Sequence, residues 1–162
     1  MKVKSNDKLP EANLMQMGEA GPESISLSSL TKGRKVVIFG LPGAFTGTCS
    51  TEHVPSFMRN FDALAAKGIE DIICVSVNDA FVMQAWAKDT GADKAGLKML
   101  GDPLSTFTKA IGFDFDAPDF GLMGRSLRYA MVVDDGKITV LQAEENPGVC
   151  GVSGGEAILE AI

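Results

Sequence analysis

Two short apolar runs on either side of a helix-like segment constrain the fold of this chain more than any other feature. Lys35–Phe39 and Asp71–Val77 are rich in valine and isoleucine, which is typical of strands buried on both faces of a sheet. Between them, residues from about 49 to 67 carry apolar side chains at helical spacing, and Gly68 follows as a helix stop. A strand, a connecting helix and a second strand predict a parallel βαβ unit.

The remaining segments extend this unit into one mixed sheet. Tyr129–Val133 and Lys137–Leu141 flank Asp134-Asp135-Gly136, and Asp-Gly between two β-prone runs predicts a hairpin. Further elements are predicted, in chain order, as an N-terminal hairpin of Leu14–Met17 with Ser24–Leu27, a helix over Ala80–Asp89 capped by Asn78 and Asp79, a strand over Lys98–Leu100, and helices over Thr106–Ile111 and Glu156–Ile162. This order favours a single α/β domain, residues 1–162, with a thioredoxin-like fold: a central mixed sheet flanked by helices, with an N-terminal extension.

The charge balance argues against two classes of partner. Lys and Arg number 15 against 21 Asp and Glu, which gives a formal net charge of −6. Nucleic-acid and anionic-membrane binders need clustered basic residues, and no such cluster occurs. No apolar run approaches the ~20 residues of a membrane span, and Met1–Asp7 lacks the apolar stretch of a secretory signal. We therefore expect a cytoplasmic protein.

The cysteine and histidine content narrows the chemistry. The three cysteines, Cys49, Cys74 and Cys150, form no CxxC pair, and His53 is the only histidine. These counts argue against a disulfide framework, a zinc ribbon and a His-rich metal site. Cysteine remains as a nucleophile or as a core residue, and we expect no metal or other cofactor.

Cys49 has the best position for a nucleophile. It follows a predicted strand and a loop, and it opens the predicted helix, where unpaired N–H groups and the helix dipole favour the thiolate form. Pro42 lacks an N–H and would shield the sulfur from water, and the Thr46 hydroxyl can hydrogen-bond a bound oxygen. The alternative is a buried structural cysteine.

The spacing Pro42-xxx-Thr46-xx-Cys49 resembles the active-site signature of the peroxiredoxins. The longer strings Phe39–Thr46, Cys49–Phe57, Cys74–Phe81 and Arg125–Val133 are similar to the type II, atypical two-Cys class, and the likeness runs from about residue 8 to the C-terminus. Many peroxiredoxins have proline directly after the threonine, where this chain has Gly47.

The resemblance implies a thiol-dependent peroxidase that reduces hydrogen peroxide and small organic hydroperoxides without metal, haem or flavin. The Cys49 thiolate would attack the peroxide and become a sulfenic acid. A glutathione/glutaredoxin or thioredoxin system would then recycle it. Arg128, at the family's arginine position, would stabilise the thiolate and hold the peroxide together with Thr46, and Arg125 is its rival by sequence proximity. The family also implies a homodimer.

Several roles stay open at this stage. Cys150 lies in a loop-like stretch, residues 146–151, and is a candidate resolving cysteine, although its local spacing differs from both the animal and the plant-like members of the class. His53 is expected to support the loop rather than to form a Cys–His nucleophile pair. Cys74 is expected in the core. Five apolar residues could line the pocket or an interface, or lie in the core: Leu41, Phe45, Phe81, Phe120 and Leu122. A redox sensor or binding module and, more remotely, a Cys–His hydrolase are the alternative functions.

Overall fold

A seven-stranded mixed sheet forms the centre of the computed structural model, which describes residues 1–162. Its strands are β1 (Asn13–Gly18), β2 (Gly21–Ser26), β3 (Lys35–Gly40), β4 (Asp71–Ser76), β5 (Lys98–Gly101), β8 (Tyr129–Asp134) and β9 (Lys137–Ala143), and a separate hairpin contains β6 (Asp114–Ala117) and β7 (Leu122–Ser126). The helices are α1 (Leu27–Thr31), α2 (Val54–Arg59), α3 (Phe61–Ala66), α4 (Ala80–Thr90), α5 (Ala92–Ala95), α6 (Thr106–Ala110) and α7 (Gly155–Ala161). None of these helices combines the length and apolarity that a membrane crossing needs.

The strand order is β2-β1-β5-β4-β3-β8-β9. The βαβ unit predicted from the two apolar runs is present, because β3 and β4 pair in parallel, and β5 continues the parallel part. β8 pairs with the other side of β3 and with β9, and both of these pairings are antiparallel. The predicted thioredoxin-like fold and mixed sheet are therefore confirmed, and the N-terminal hairpin extends the sheet beyond β5.

Apolar side chains cover both faces of the sheet. Along β3, Val37 and Phe39 point into one cluster with Cys49 and Trp86, whereas the alternate residues of that strand point into a second cluster on the opposite face. Because its strands are covered on both faces, the parallel centre reads as continuous apolar runs in the sequence. The face with Phe39 is the one against which the candidate nucleophile packs.

Three expectations differ from the structure. The single helix expected from Cys49 to about Lys67 is divided at Asn60, whose backbone leaves helical geometry (φ −100°, ψ 9°) and whose side-chain amide donates to the Ser56 carbonyl at 2.8 Å. An asparagine that bonds the backbone in this way competes with the helix. Leu27 begins α1 and does not extend β2. The β6–β7 hairpin was not predicted, since its short strands contain Asp and Gly residues of low strand propensity.

Candidate active site

Cys49 lies at the start of a π-helical turn, Cys49–His53, that leads directly into α2. The wide turn is closed by the Val54 N–H, which donates to the Cys49 carbonyl. π-turns of this kind occur frequently at functional sites. Only 1% of the Cys49 surface is exposed, so the sulfur lies under the loop that follows β3.

Arg128 contacts the sulfur directly. Its Nη2 lies 3.1 Å from the Sγ of Cys49, although the two residues are far apart in the sequence. The pairing of β3 with β8 explains this approach. Gly40, the last residue of β3, pairs with Tyr129. Arg128 precedes Tyr129 and therefore lies beside the start of the loop that leads from β3 to Cys49. Arg125 does not reach the sulfur, because its Nη1 donates to the Pro42 carbonyl at 2.9 Å.

The guanidinium of Arg128 is held by three acceptors, two on the π-turn and one in the loop between β9 and α7. Besides Cys49, Nη1 lies 3.0 Å from Nδ1 of His53, and Nε donates to the Pro147 carbonyl at 3.0 Å. Arg128 is 1% exposed, and the salt bridges of the structure do not include it. A buried cation requires a compensating negative charge. The Glu144 carboxylate interacts with the charge of Arg128, and the sulfur of Cys49 is in direct contact with the guanidinium.

His53 is a buried neutral imidazole. Its Nε2 lies 2.9 Å from the Ser153 carbonyl. Because a carbonyl oxygen only accepts, Nε2 carries the proton and Nδ1 accepts from Arg128. Burial, and next the charge of Arg128, lower the pKa of His53 to about 3. Both ring nitrogens thus form hydrogen bonds to groups other than Cys49. A Cys–His nucleophile pair would need one of them to contact the sulfur.

The loop between β3 and Cys49 is anchored at several points. The Thr46 hydroxyl donates to the Gly43 carbonyl at 2.7 Å. The hydroxyl proton is therefore used in the bond to Gly43, and the hydroxyl oxygen remains free to accept a hydrogen bond. The Ala44 N–H donates to Oδ1 of Asn78 at 3.0 Å, and the Ser76 hydroxyl donates to the same oxygen at 2.6 Å. Pro42, within this loop, is buried.

Two anchoring residues were not assigned this role from the sequence. Asn78 was read only as a helix cap, although Asp79 supplies that cap by accepting from the Val82 N–H. Arg125, on β7, was read as a rival to Arg128, yet it holds Pro42 and occupies the space beside Gly43. The position of Asn78 after β4 was visible in the sequence, but the contacts of both residues depend on tertiary packing.

The other two cysteines differ from Cys49 and from each other. Cys74 is wholly buried in β4, and burial, followed by the proximity of Cys49, raises its pKa. Cys150 is half-buried in the loop between β9 and α7, and burial is the main cause of its raised pKa. All three thiols are free.

Fold and site together define a class, the thioredoxin-fold proteins that perform redox chemistry with a single arginine-bound cysteine. The family model for redoxins matches residues 4–159. Peroxiredoxin-2C of Oryza sativa subsp. japonica is 47% identical over 161 residues, which cover 99% of this chain and 98% of that protein. The mitochondrial peroxiredoxin-2F of Arabidopsis thaliana is 47% identical over 136 residues, or 84% of this chain and 67% of that protein.

Among solved structures, reduced Prx3 of Vibrio vulnificus in complex with hydrogen peroxide superposes with a TM-score of 0.91 at 43% identity, covering 98% of each chain. The chain belongs to the redoxin family, and within it to the type II peroxiredoxins. It is a thiol-dependent peroxidase, as the motif around Cys49 predicts.

Proposed function

We propose that Cys49 is the residue that reduces hydrogen peroxide and small organic hydroperoxides, with Arg128 as its electrostatic partner. The observation that carries this assignment is the 3.1 Å contact between Arg128 Nη2 and Cys49 Sγ in a buried site where Arg128 forms no salt bridge. The thiolate is the nucleophilic form of cysteine. A buried guanidinium in contact with the sulfur stabilises that form.

The first step exchanges an O–O bond for an S–O bond. The sulfur attacks one peroxide oxygen, the O–O bond breaks, and the other oxygen leaves as water or an alcohol after it gains a proton. Arg128 N–H groups that have no partner in the chain can donate to the oxygen on which charge develops. The oxygen of Thr46, whose proton is held by Gly43, can accept the hydrogen of the peroxide.

A second thiol completes the cycle. Its sulfur attacks the sulfenic acid of Cys49, water leaves, and a disulfide forms. In this proposal the external reductant is glutathione with glutaredoxin, or thioredoxin, and the disulfide is reduced by further thiol.

Cys150 is our candidate for the resolving thiol within the chain. Its loop lies directly on the active site, since the Gly148 carbonyl accepts from the Thr48 hydroxyl at 2.8 Å and the Pro147 carbonyl accepts from Arg128. The raised pKa of Cys150 keeps it a neutral thiol at rest. In the resolving step we expect the loop to rearrange so that the Cys150 sulfur reaches the sulfenic acid.

Cysteine-to-serine variants test the assignment of Cys49 as the nucleophile, and peptide mass mapping tests the assignment of Cys150 as the resolving thiol. Cys49→Ser is expected to abolish peroxide consumption, and Cys74→Ser, a change in the same core cluster, serves as the matched control that keeps turnover. After a single equivalent of peroxide, peptide mass mapping of the unaltered protein should recover a Cys49–Cys150 disulfide.

The contrary outcomes are distinct. Near-normal turnover by Cys49→Ser would disprove the nucleophile assignment. Glutathionylated or sulfenic Cys49 with free Cys150 would instead place recycling wholly with the external thiol, and a Cys49–Cys74 disulfide would assign resolution to Cys74. A single oxidation without recycling by any external thiol would favour a redox sensor.

We also propose that the active form is a homodimer. Several large apolar side chains are exposed, namely Phe45, Phe81, Leu104, Phe120 and Met123. Phe45, Phe81 and Leu104 follow β3, β4 and β5, and the carboxyl ends of parallel strands lie at one edge of a sheet. A second copy of the chain would cover this edge and support the loop that carries Thr46.

A further inference from the structure

The segment between β9 and α7, residues 144–154, covers the active site and is called the covering loop below. Its carbonyl groups contact each active-site segment in turn. Pro147 accepts from Arg128 Nε at 3.0 Å, and Ser153 accepts from His53 Nε2 at 2.9 Å. Two of the contacts that orient Arg128 therefore depend, directly or through His53, on where this irregular loop lies.

One carboxylate oxygen holds the far end of the covering loop. Oε1 of Glu144 accepts from the Gly151 N–H at 2.6 Å, from the Ser153 N–H at 2.9 Å and from the Ser153 hydroxyl at 2.8 Å. The backbone N–H of Glu144 donates to the Arg128 carbonyl at 3.0 Å. Glu144 is thus joined to Arg128 through its main chain and to the His53 acceptor through its side chain.

The carboxylate is ionised at neutral pH. Burial by itself would raise the pKa of Glu144, but the hydrogen bonds from Ser153 and Gly151, together with the charge of Arg128, hold it below its ordinary value. Hydrogen bonds to an ionised acceptor are about twice as strong as neutral ones. The bonds to this oxygen consequently hold together a loop that has no regular secondary structure of its own.

We propose that Glu144 is a positioning residue for the peroxide reaction, which keeps the covering loop closed so that Ser153 and Pro147 hold His53 and Arg128 in place against Cys49. The same contacts hold Cys150 in its half-buried site. Closing the loop therefore favours attack on peroxide, and opening it favours access to Cys150. The inference rests on the proposed role of Cys49 as the peroxide-reacting cysteine.

Glu144→Gln and Glu144→Ala test this role, with Glu145→Gln as the matched control, because Glu145 is the exposed neighbouring carboxylate. We expect the rate of Cys49 oxidation by hydrogen peroxide to fall about tenfold in Glu144→Gln and up to about a hundredfold in Glu144→Ala. The loss should be larger in Glu144→Ala, since glutamine keeps a neutral acceptor for the loop N–H groups and alanine keeps none. Glu145→Gln should match the unaltered protein.

Thiol labelling separates positioning from general destabilisation. With iodoacetamide and no peroxide present, Cys150 should be alkylated faster in both Glu144 variants, whereas Cys74, buried in the sheet, should stay protected. Peptide mapping assigns each label. Unchanged oxidation and unchanged Cys150 labelling would overturn the proposal, as would Cys74 labelling that rises together with Cys150. These readouts do not depend on Cys150 being the resolving thiol, and Cys49→Ser tests the nucleophile separately.

Discussion

At the scale of single residues, His53 and Arg128 form a matched pair of buried groups. The imidazole can accept from the guanidinium only while Nδ1 carries no proton, and Arg128 itself opposes protonation. The neutral state of His53 is therefore a condition for the observed orientation of Arg128. His53 acts through Arg128 and does not touch the sulfur in this geometry.

This arrangement predicts that His53 makes folding stability sensitive to acid. The pKa of His53 is about 3 in the folded protein against an ordinary 6.5. Between these values the unfolded chain binds a proton that the folded chain does not, so the free energy of unfolding falls as the pH falls. The maximum slope for one such group is about 1.4 kcal/mol per pH unit. His53→Gln, which cannot titrate, should lose this slope.

Urea unfolding at a series of pH values, on both proteins, measures the effect. Glu144 and Glu156, whose pKa values are lowered, also destabilise the fold as they are protonated in acid, but they are present in both proteins. The difference between the two curves isolates His53. Parallel curves across this pH range would show that His53 is not held neutral.

At the scale of elements, the loop that joins β3 to the π-turn is held by tertiary contacts. A Cβ added to Gly43 would meet the guanidinium of Arg125, whereas one added to Gly47 would meet no atom within 4 Å. Gly43 therefore permits the close approach of Arg125 to the Pro42 carbonyl. Gly47 has no comparable requirement, although it replaces the usual proline.

Alanine substitutions at these two glycines form a matched pair. Gly43→Ala should displace Arg125 and loosen the loop. We expect kcat/KM for hydrogen peroxide to fall about a hundredfold, because small displacements in an active site can cost that much. Gly47→Ala should stay near the activity of the unaltered protein. Steady-state peroxidase assays measure kcat/KM for both variants. Equal activities of Gly43→Ala and Gly47→Ala would contradict the role of Arg125 in holding the loop.

The elements themselves were largely predictable, for local reasons. The strand β3 and its partner β4 are apolar runs, and the β8–β9 turn contains Asp135 and Gly136 with positive φ angles of 48° and 78°, as the Asp-Gly signal implies. The break at Asn60 was missed, since it depends on which hydrogen bond a side chain makes. The β6–β7 hairpin was missed because its short strands contain Asp and Gly residues of low strand propensity.

At the scale of the whole molecule, the exposed apolar edge is the feature that a monomer does not explain. Leu104 is 81% exposed and Phe81 is 63% exposed. Burying one large apolar side chain contributes about 2 kcal/mol, so several of them on one edge favour association.

Leu104→Glu should convert the proposed homodimer to a monomer. It removes the apolar contact and places a charge in the interface, and we expect the dimer dissociation constant to rise at least a hundredfold. Val152→Glu is the control, because Val152 is half exposed but lies beside α7. Sedimentation velocity over a range of concentrations measures both. A monomeric unaltered protein would refute the proposal.

The sequence by itself determined the strands around Cys49, the identity of that residue as the candidate nucleophile and, through the motif, the family. These features are local, because they depend on composition, spacing and turn chemistry within short segments. The resemblance already favoured Arg128 over Arg125, but only the tertiary structure gave the contact of Arg128 with the sulfur, the bond of Arg125 to Pro42 and the contacts of Pro147 and Ser153 with Arg128 and His53. Those contacts join residues that are distant in the sequence, and the first of them exists because strand pairing places Tyr129 opposite Gly40.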